Sequence, residues 1–463
     1  MRRSGKASAA DSGRAGGGTQ ISRRSLTGAL LSLGVLPLTP MAKLAAQPAP
    51  REPRLVFAHY MVCCPMAGKN ATVAQLADEI HQAQSAGVDG FALNCGSWTA
   101  EPYYRAIATR MFEAAASLPH PFKLLFSSDG LTPEDTASMV SEFYEHPNML
   151  RYQGKPVLSS YSGDEAWGKA VIAALAGLRR PVVFVPFFFP KGLNKRFTDT
   201  NIARLIDENG YADGFFYFGA DGTGANLAAT SAKIGRAWRN AGKLYMAPVT
   251  PFYRGLGPRN YRVFETRGFE GMAREWEAAI AADAQWVEIV TWNDWGESTY
   301  VASFGSPRAM DLWDGHWGRL LSHEAYLAAS AYYIRWFKTG VKQVESDDLF
   351  WFYRLSPKRL PGRDQPDHPP ESYPRGFNHL EDRVFLTTFL IAPATLKIES
   401  GERRYEFSAP AGAAHVSAEF GQGPQRFSVE RNGVTILSGT GAFPIGDDNW
   451  GNFNYLAGQA RRT

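Results

Sequence analysis

The sequence predicts an α/β fold: a (β/α)8 TIM-type barrel over residues 51–342, followed by a C-terminal antiparallel β-sandwich over residues 343–463. Two features predict it. From residue 54 onward, eight short apolar runs alternate with segments of helical periodicity, as in a parallel sheet covered by helices. After about residue 342 the helical periodicity stops, and short alternating runs separated by Gly and Pro follow, which is typical of an antiparallel sandwich.

The eight apolar runs supply the predicted barrel strands. Each is rich in β-branched and aromatic residues and is bounded by Gly, Pro or Asp, which suits a strand buried on both faces. The predicted strands cover residues 55–62, 89–96, 123–130, 155–163, 181–189, 212–220, 243–252 and 286–294. Eight strand–helix units over about 290 residues match the size of a (β/α)8 barrel. A doubly wound open sheet is the alternative, but no Gly-rich dinucleotide fingerprint follows the first strand.

Amphipathic segments between these runs predict the helices. In residues 72–87, Val73, Leu76 and Ile80 recur at helical spacing. In residues 132–145, Thr132 is placed to cap the helix and Pro133 to occupy its first turn. Further helices are predicted at residues 200–210, 229–242, 271–283 and 323–337.

The C-terminal part is predicted to consist of short antiparallel strands. Its Pro-rich, charged segment at residues 356–376 is predicted to be a loop. The predicted strands are residues 348–355, 383–392, 394–401, 403–409, 415–421, 426–433 and 434–439.

Residues 1–46 resemble a bacterial twin-arginine export signal. Arg23 and Arg24 precede an apolar segment, residues 26–38, that is too short to span a bilayer. The alternative is a disordered tail with an accidental arginine pair. We expect the protein to be exported, to the periplasm or beyond the cell, with a mature chain that starts near residues 40–50.

Charge and cysteine content exclude several classes of function. The formal net charge is +4, but residues 1–46 hold seven basic residues and one acidic residue. Without them the net charge is −2, which predicts neither nucleic acid nor a membrane as partner. Cys63, Cys64 and Cys95 lack the spacing of a zinc site. The sequence leaves one disulfide, from Cys95 to Cys63 or to Cys64, as a possibility. It implies no metal and no organic cofactor.

Polar and aromatic residues gather where the predicted strands end, which is where barrel enzymes build their sites. The stretch "VTWNDWGES" (residues 290–298) delivers two carboxylates, Asp294 and Glu297, directly after the eighth strand. Carboxylates and aromatic rings together suit a carbohydrate, and glycosidic cleavage needs two carboxyl groups in opposite protonation states. Asp294 and Glu297 are therefore the predicted catalytic pair. Substrate contacts are predicted for His59, Tyr60, Asn94, Asp129, Tyr253, Trp292, Asn293 and Trp295.

Six motifs in order resemble those of glycoside hydrolase family 71, the α-1,3-glucanases or mutanases. They are "VFAHYMV" (56–62), "AGVDGFALN" (86–94), "LLFSSD" (124–129), "VPFFFP" (185–190), "YMAPVTPFY" (245–253) and "VEIVTWNDWGES" (287–298). The resemblance implies a barrel followed by a β-rich domain, endo-acting hydrolysis of α-1,3-glucan with inversion, and a catalytic pair at Asp294 and Glu297. It also implies an essential acid at Asp89. We expect Glu297 to be the acid and Asp294 the base.

Two departures and several alternatives accompany the resemblance. "CCPMAG" (63–68) stands where the family has a Gly–Asn turn, and Tyr217–Phe218 where it has Ser–Trp. A barrel glycosidase of another linkage, such as a mannan-directed endo-hydrolase, is one alternative, and a carbohydrate-binding protein without turnover is another. Asp89 can equally be a turn residue that caps backbone amides, and the two tryptophans can be sugar platforms or wedges.

Overall fold

The computed structural model describes residues 52–191, 196–257, 259–304, 310–311, 319–363 and 372–462. The predicted leader, residues 1–46, lies outside the described residues. No helix in the ranges given is long and apolar enough to cross a membrane.

The helices of the described residues are α1 Val73–Ser85, α2 Pro102–Ser117, α3 Pro133–Phe143, α4 Glu165–Gly177, α5 Asp199–Glu208, α6 Gly224–Asn240, α7 Phe269–Ala281 and α8 Glu324–Thr339. The strands up to α8 are β1 Leu55–Met61, β2 Gly90–Cys95, β3 Lys123–Asp129, β4 Arg151–Tyr152, β5 Lys155–Tyr161, β6 Val183–Pro186, β7 Gly214–Phe216, β8 Leu244–Val249, β9 Arg254–Gly255, β10 Arg262–Val263, β11 Trp286–Ile289, β12 Met310–Asp311 and β13 Arg319–Leu320. The strands after α8 are β14 Asp348–Arg354, β15 Arg383–Leu390, β16 Ala394–Ser400, β17 Arg403–Ala409, β18 Gly412–Glu419, β19 Gln425–Arg431, β20 Val434–Thr440, β21 Tyr455–Gln459 and β22 Arg461–Arg462.

Eight parallel strands form a curled sheet in the order β7-β8-β11-β1-β2-β3-β5-β6. All eight strands predicted for the barrel are confirmed, and each begins within two residues of its predicted start. The predicted strands run too far at their carboxyl ends, because the chain stays apolar and aromatic after it leaves the ladder. The last predicted strand, for example, extends to residue 294, whereas β11 ends at Ile289.

The two end strands of this sheet touch. The Asp213 N–H, just before β7, donates to the Phe184 carbonyl of β6 at 3.0 Å, and the Phe184 N–H donates to Asp213 Oδ2 at 2.8 Å. No ladder of strand pairing is recorded between β6 and β7 in the part of the chain that the structure describes. The fold is thus mixed α/β, with a parallel sheet curled until its ends meet.

Five of the eight described helices begin at a Thr or Asp side chain that caps them. Thr132 accepts from Asp135 N–H at 3.1 Å, and Pro133 opens α3 as predicted. Thr72 caps α1 through a reciprocal pair with Gln75. Each satisfied amide at these ends fixes the direction in which the helix leaves the sheet.

Two antiparallel sheets follow α8. One has the order β18-β15-β14-β21 and the other β17-β16-β19-β20-β22. Along β14, Phe352 packs against Tyr326 of α8 with ring centroids 4.7 Å apart, whereas the next-door Trp351 stacks on Phe427 of β19 at 4.9 Å. Because neighbouring side chains of a strand point to opposite faces, β14 joins the helices on one side to the second sheet on the other. The strand β21 was not predicted, since "YLAGQ" is short and follows a Gly- and Asn-rich loop.

Candidate functional site

The predicted acids lie in a loop, residues 290–301, that continues β11 and folds back on itself. We call it the acid loop. Its base is closed by the Thr291 N–H, which donates to the Thr299 carbonyl at 2.9 Å, and by a hydroxyl contact of 3.0 Å between the same two residues. The Asp294 N–H donates to Thr291 Oγ1 at 2.8 Å, and the Glu297 N–H donates to Asp294 Oδ1 at 2.9 Å. The structure therefore brings the two predicted acids together.

The other side chains of the acid loop anchor it to the scaffold and do not face a substrate. Trp292 Nε1 donates to Glu79 of α1 at 2.8 Å, and Trp295 Nε1 donates to the Cys64 carbonyl at 3.0 Å. Asn293 accepts from Met61 N–H at 2.7 Å and donates to the carbonyls of Met61 and Cys64. All three anchoring side chains are fully buried. Trp292, Asn293 and Trp295, which were predicted to contact the substrate, are thus paired within the protein.

Glu297 accepts hydrogen bonds from two donors outside the acid loop. The Tyr253 hydroxyl donates to Glu297 Oε1 at 2.7 Å, and Asn260 Nδ2 donates to the same oxygen at 3.0 Å. Arg262 donates to the Tyr253 hydroxyl at 3.3 Å and forms a 2.9 Å ion pair with Asp221. The structure thus places the predicted site residue Tyr253 next to Glu297.

The electrostatic environments of the two acids differ. Burial raises the pKa of Asp294 well above its ordinary value, and the neighbouring charge of Glu297 raises it further. Burial also raises the pKa of Glu297, but hydrogen bonds from Tyr253 and Asn260 and the positive charge of Arg262 oppose the rise. Three side chains therefore stabilise the ionised form of Glu297. By contrast, backbone N–H groups stabilise the ionised form of Asp294.

Glu297 lines a cavity of about 240 Å³ at the carboxyl ends of the strands. The walls combine aromatic rings with one cation and two acids: Tyr161, Phe189, Phe218, Ala220, Asp221, Tyr253, Arg262 and Glu297. Flat rings beside hydrogen-bonding groups suit the apolar faces and the hydroxyls of a sugar. A larger cavity, about 350 Å³, lies near the start of α7, but Arg267 and Arg274 there are both paired with Glu270.

A second cluster of polar side chains lies inside the curled sheet. His59 Nδ1 on β1 lies 2.6 Å from Glu288 Oε1 on β11, and Asn94 Nδ2 donates to Asp129 Oδ2 at 3.3 Å. Burial raises the pKa of Asp129 and of Glu288. His59 Nε2 and Glu288 Oε2 are buried and find no hydrogen-bond partner among the described residues. The predicted residues His59, Asn94 and Asp129 are thus on the inner face of the sheet, beside the Phe218 ring of the cavity, which is 5.0 Å from the His59 ring.

Tyr60 and Asp89, two further predicted site residues, do not line the cavity. Tyr60 points to the opposite face of β1 from His59 and donates to Glu79 of α1 at 3.3 Å, because successive side chains alternate along a strand. Asp89 stands at the amino end of β2, five residues before Asn94, or about 16 Å at the usual rise per residue. There it accepts from Val56 N–H at 2.8 Å and pairs with Lys338 at 2.7 Å. Asp89 is therefore remote from the acid loop and acts as a backbone cap.

Asp213 repeats the arrangement of Asp89. Each opens a strand in an Asp-Gly pair, exchanges a backbone hydrogen bond with the preceding neighbour strand, and accepts that strand's N–H on its carboxylate. The repetition identifies a structural motif of the amino ends of the strands. It also explains the glycines, since a Cβ on Gly90 would come within 2.1 Å of the Lys123 carbonyl oxygen.

Sequence reasoning missed Asn260 and Arg262 altogether. Both lie on or beside the β9–β10 hairpin, between β8 and α7, where Gly, Arg and Asn interrupt any periodic pattern. Tyr161 and Asp221, which stand at or just after the ends of predicted strands, were not among the predicted site residues. A signal was present: the hairpin directly follows Tyr253, at the strand ends where a barrel site is built.

Metal ligation has no candidate among the described residues: no group of three or more His, Cys, Asp or Glu side chains is arranged to hold a metal ion there. The side chains at the site offer carboxyl groups, a phenol, an amide and a guanidinium.

Several known proteins are similar to this chain. A mutanase of Penicillium rubens is 29% identical over 423 residues, which cover 89% of this chain and 89% of the relative. A glucan endo-1,3-alpha-glucosidase of Schizosaccharomyces pombe is 29% identical over 436 residues, 88% of this chain and 94% of that protein. Among solved structures, the GH99 endo-alpha-mannosidase of Bacteroides thetaiotaomicron matches 61% of this chain and 97% of its own, with a TM-score of 0.48 and 15% identity. The family model of glycosyl hydrolase family 71 matches residues 52–463, so the chain belongs to that family and is a glycoside hydrolase.

Proposed function

We propose that this protein is an endo-acting hydrolase of α-1,3-glucan that inverts the anomeric centre with Asp294 and Glu297. The observation that carries the proposal is the acid pair itself, held in one closed loop beside a cavity walled by aromatic rings. The two relatives named above support α-1,3-glucan as the substrate.

The surroundings of the two acids favour Asp294 as the proton donor and Glu297 as the base, the reverse of the order expected from the sequence. Tyr253 and Asn260 donate to Glu297, and Arg262 adds positive charge nearby. These contacts favour a carboxylate. Asp294 is buried next to that negative charge, so its protonated form is favoured. Asp294 then gives its proton to the glycosidic oxygen while Glu297 takes a proton from the attacking water.

The remaining predicted contacts divide between the cavity wall and the interior of the sheet. Tyr253 lines the cavity and orients Glu297, and Arg262 covers its ring at 5.2 Å. His59, Asn94 and Asp129 lie deeper, where the His59 ring is 5.0 Å from the wall residue Phe218 and its buried Nε2 has no partner among the described residues. Glu288 holds the His59 ring in one orientation.

The architecture around the site is part of the proposal. The hydrogen bonds between Phe184 and Asp213 support closure of the curled sheet into a (β/α)8 barrel over residues 51–342. Stacking of Trp351 on Phe427 supports a β-sandwich over residues 343–463. We keep residues 1–46 as a twin-arginine signal for export, on the strength of Arg23, Arg24 and the short apolar segment after them.

A polysaccharide panel tests this function. Purified protein is incubated with α-1,3-glucan, α-1,4-glucan, β-1,3-glucan and α-mannan, and new reducing ends and the anomer first released are measured. We expect new reducing ends from α-1,3-glucan alone, produced by cleavage within the chain. The first product should be the β-anomer, because the enzyme is proposed to invert an α-linkage. Asp294→Asn and Glu297→Gln should fold, bind oligosaccharide and lose at least a thousand-fold in kcat. Release from mannan instead of α-1,3-glucan would assign the site to another linkage.

A further inference from the structure

Two adjacent sulfur atoms lie beside the acid loop. The Sγ atoms of Cys63 and Cys64 are 2.7 Å apart, only roughly 0.7 Å longer than a covalent S–S bond of about 2.05 Å. Both residues are partly exposed. Cys95, by contrast, is fully buried; like Cys63 it is a free thiol, so the disulfide from Cys95 that the sequence leaves as a possibility is not formed.

The peptide group of this cysteine pair supports the acid loop. The Cys64 carbonyl accepts Asn293 Nδ2 at 2.8 Å and Trp295 Nε1 at 3.0 Å. The Cys64 N–H donates to the Met61 carbonyl at 3.0 Å, which closes a tight turn after β1. Asp294 stands between Asn293 and Trp295 in the sequence, so a movement of the Cys64 carbonyl reaches Asp294 through two hydrogen bonds.

We propose that Cys63 and Cys64 form a reversible vicinal disulfide and that, in their thiol form, they capture soft electrophiles such as trivalent arsenicals. In the oxidation each thiol gives up one proton and one electron, the Sγ–Sγ bond forms, and a disulfide oxidant such as oxidised glutathione is reduced to two thiols. In the capture, one arsenic(III) centre forms two As–S bonds and releases its oxygen as water, with both thiol protons.

The spacing of the two residues makes this disulfide easy to reduce. Adjacent Cα atoms are about 3.8 Å apart across a trans peptide bond, less than the span of about 4.4–6.8 Å that disulfides prefer. The closed ring is therefore strained, and strained, accessible disulfides are the labile ones. Closing the ring also constrains the peptide whose carbonyl supports the acid loop. We expect the oxidised form to hydrolyse glucan at least three-fold more slowly, a consequence that rests on the function proposed above.

The test uses the full chain and three variants: Cys63→Ser, Cys64→Ser and, as the matched control, Cys95→Ser. Each protein is treated with oxidised glutathione and digested, and the masses of its peptides are measured by mass spectrometry. Each is also titrated separately with phenylarsine oxide. The unchanged chain and Cys95→Ser should lose two hydrogen atoms from the peptide that contains both cysteines, and should bind one arsenical per chain. Cys63→Ser and Cys64→Ser should do neither.

Activity is measured before and after oxidation in the same samples. The unchanged chain and Cys95→Ser should slow on oxidation and recover with dithiothreitol, whereas Cys63→Ser and Cys64→Ser should show no change. Glutathione adducts on single cysteines, no arsenical binding, or oxidation without loss of activity would overturn the proposal. If the untreated protein hydrolyses no α-1,3-glucan, the proposed function fails while the mass and arsenical measurements still decide the disulfide.

Discussion

Replacing Tyr253 by Phe tests the assignment of Glu297 as the base. The change removes one hydroxyl, which donates to Glu297 Oε1 at 2.7 Å, and leaves the buried ring in place. A hydrogen bond to a charged group contributes about 1.5–3 kcal/mol, and one pKa unit corresponds to about 1.36 kcal/mol. Because the lost bond favours the ionised form, the pKa of Glu297 rises. Asn260 and Arg262 remain, so we expect the lower end of that range, about one unit.

The pH dependence of kcat/KM shows which role Glu297 has. A base works only when it is ionised, so a higher pKa moves the acidic limb of the profile up by about one unit, with roughly ten-fold less activity on that limb. An acid works only when it is protonated, so the same rise would move the basic limb instead. Tyr144→Phe is the matched control, since its hydroxyl donates to the Pro181 carbonyl far along the chain. An unmoved acidic limb in Tyr253→Phe, with a shifted basic limb, would refute Glu297 as the base.

Four further substitutions separate structural from catalytic roles. Asp89→Ala and Asp213→Ala should each destabilise the protein by about 1–3 kcal/mol in urea unfolding, because a strand N–H loses its acceptor; kcat of the folded fraction should stay near that of the parent, and a selective loss in Asp89→Ala would restore its catalytic role. Trp295→Ala should cost about 3–5 kcal/mol and lower kcat, because the side chain is fully buried; raised KM with unchanged stability would instead indicate a sugar platform. Arg254→Met should cost about 1–3 kcal/mol, because the acceptor Ser298 Oγ loses two hydrogen bonds; thermal unfolding at the parental temperature would contradict this.

The sheet could be predicted because burial on both faces leaves a strong signal. A parallel strand under helices is apolar at almost every position, and all eight runs were found from that signal. The acid pair could be predicted for a related reason, since a loop after a strand of this kind reaches the face where sites are built. The ends of the strands were less certain, because aromatic residues such as Phe187 and Phe188 stay buried after the ladder stops.

The direction of each side chain was the harder part. Successive side chains of a strand point to opposite faces, so the neighbours His59 and Tyr60 cannot both face the site. Applying this rule would have taken Tyr60 out of the predicted substrate contacts. Strand direction would likewise have placed Asp89 at the wrong end. The acid loop has no regular repeat of side-chain directions. The order of its residues therefore does not show that Trp292 and Trp295 point into the scaffold while the acids do not. Their directions follow from donors and acceptors on other elements, which the sequence does not show.

The acid loop is held from both sides, so the C-terminal sheets are part of the site and not an appendage. Arg254 donates to Ser298 Oγ at 2.8 Å and to the Asn452 carbonyl at 2.9 Å, which ties the loop to the segment before β21. His323 lies between the same two parts of the chain, with its ring nitrogens 3.0 Å from the Tyr300 carbonyl and 2.9 Å from Asn454 Oδ1. Burial lowers its pKa to about 4, and a neutral ring donates to one of these two oxygens. Removing residues 343–463 would leave these groups without partners and would uncover the face of α8 that packs against β14. The truncated protein should therefore lose the geometry of its acids together with its stability, even if the sheets never touch glucan.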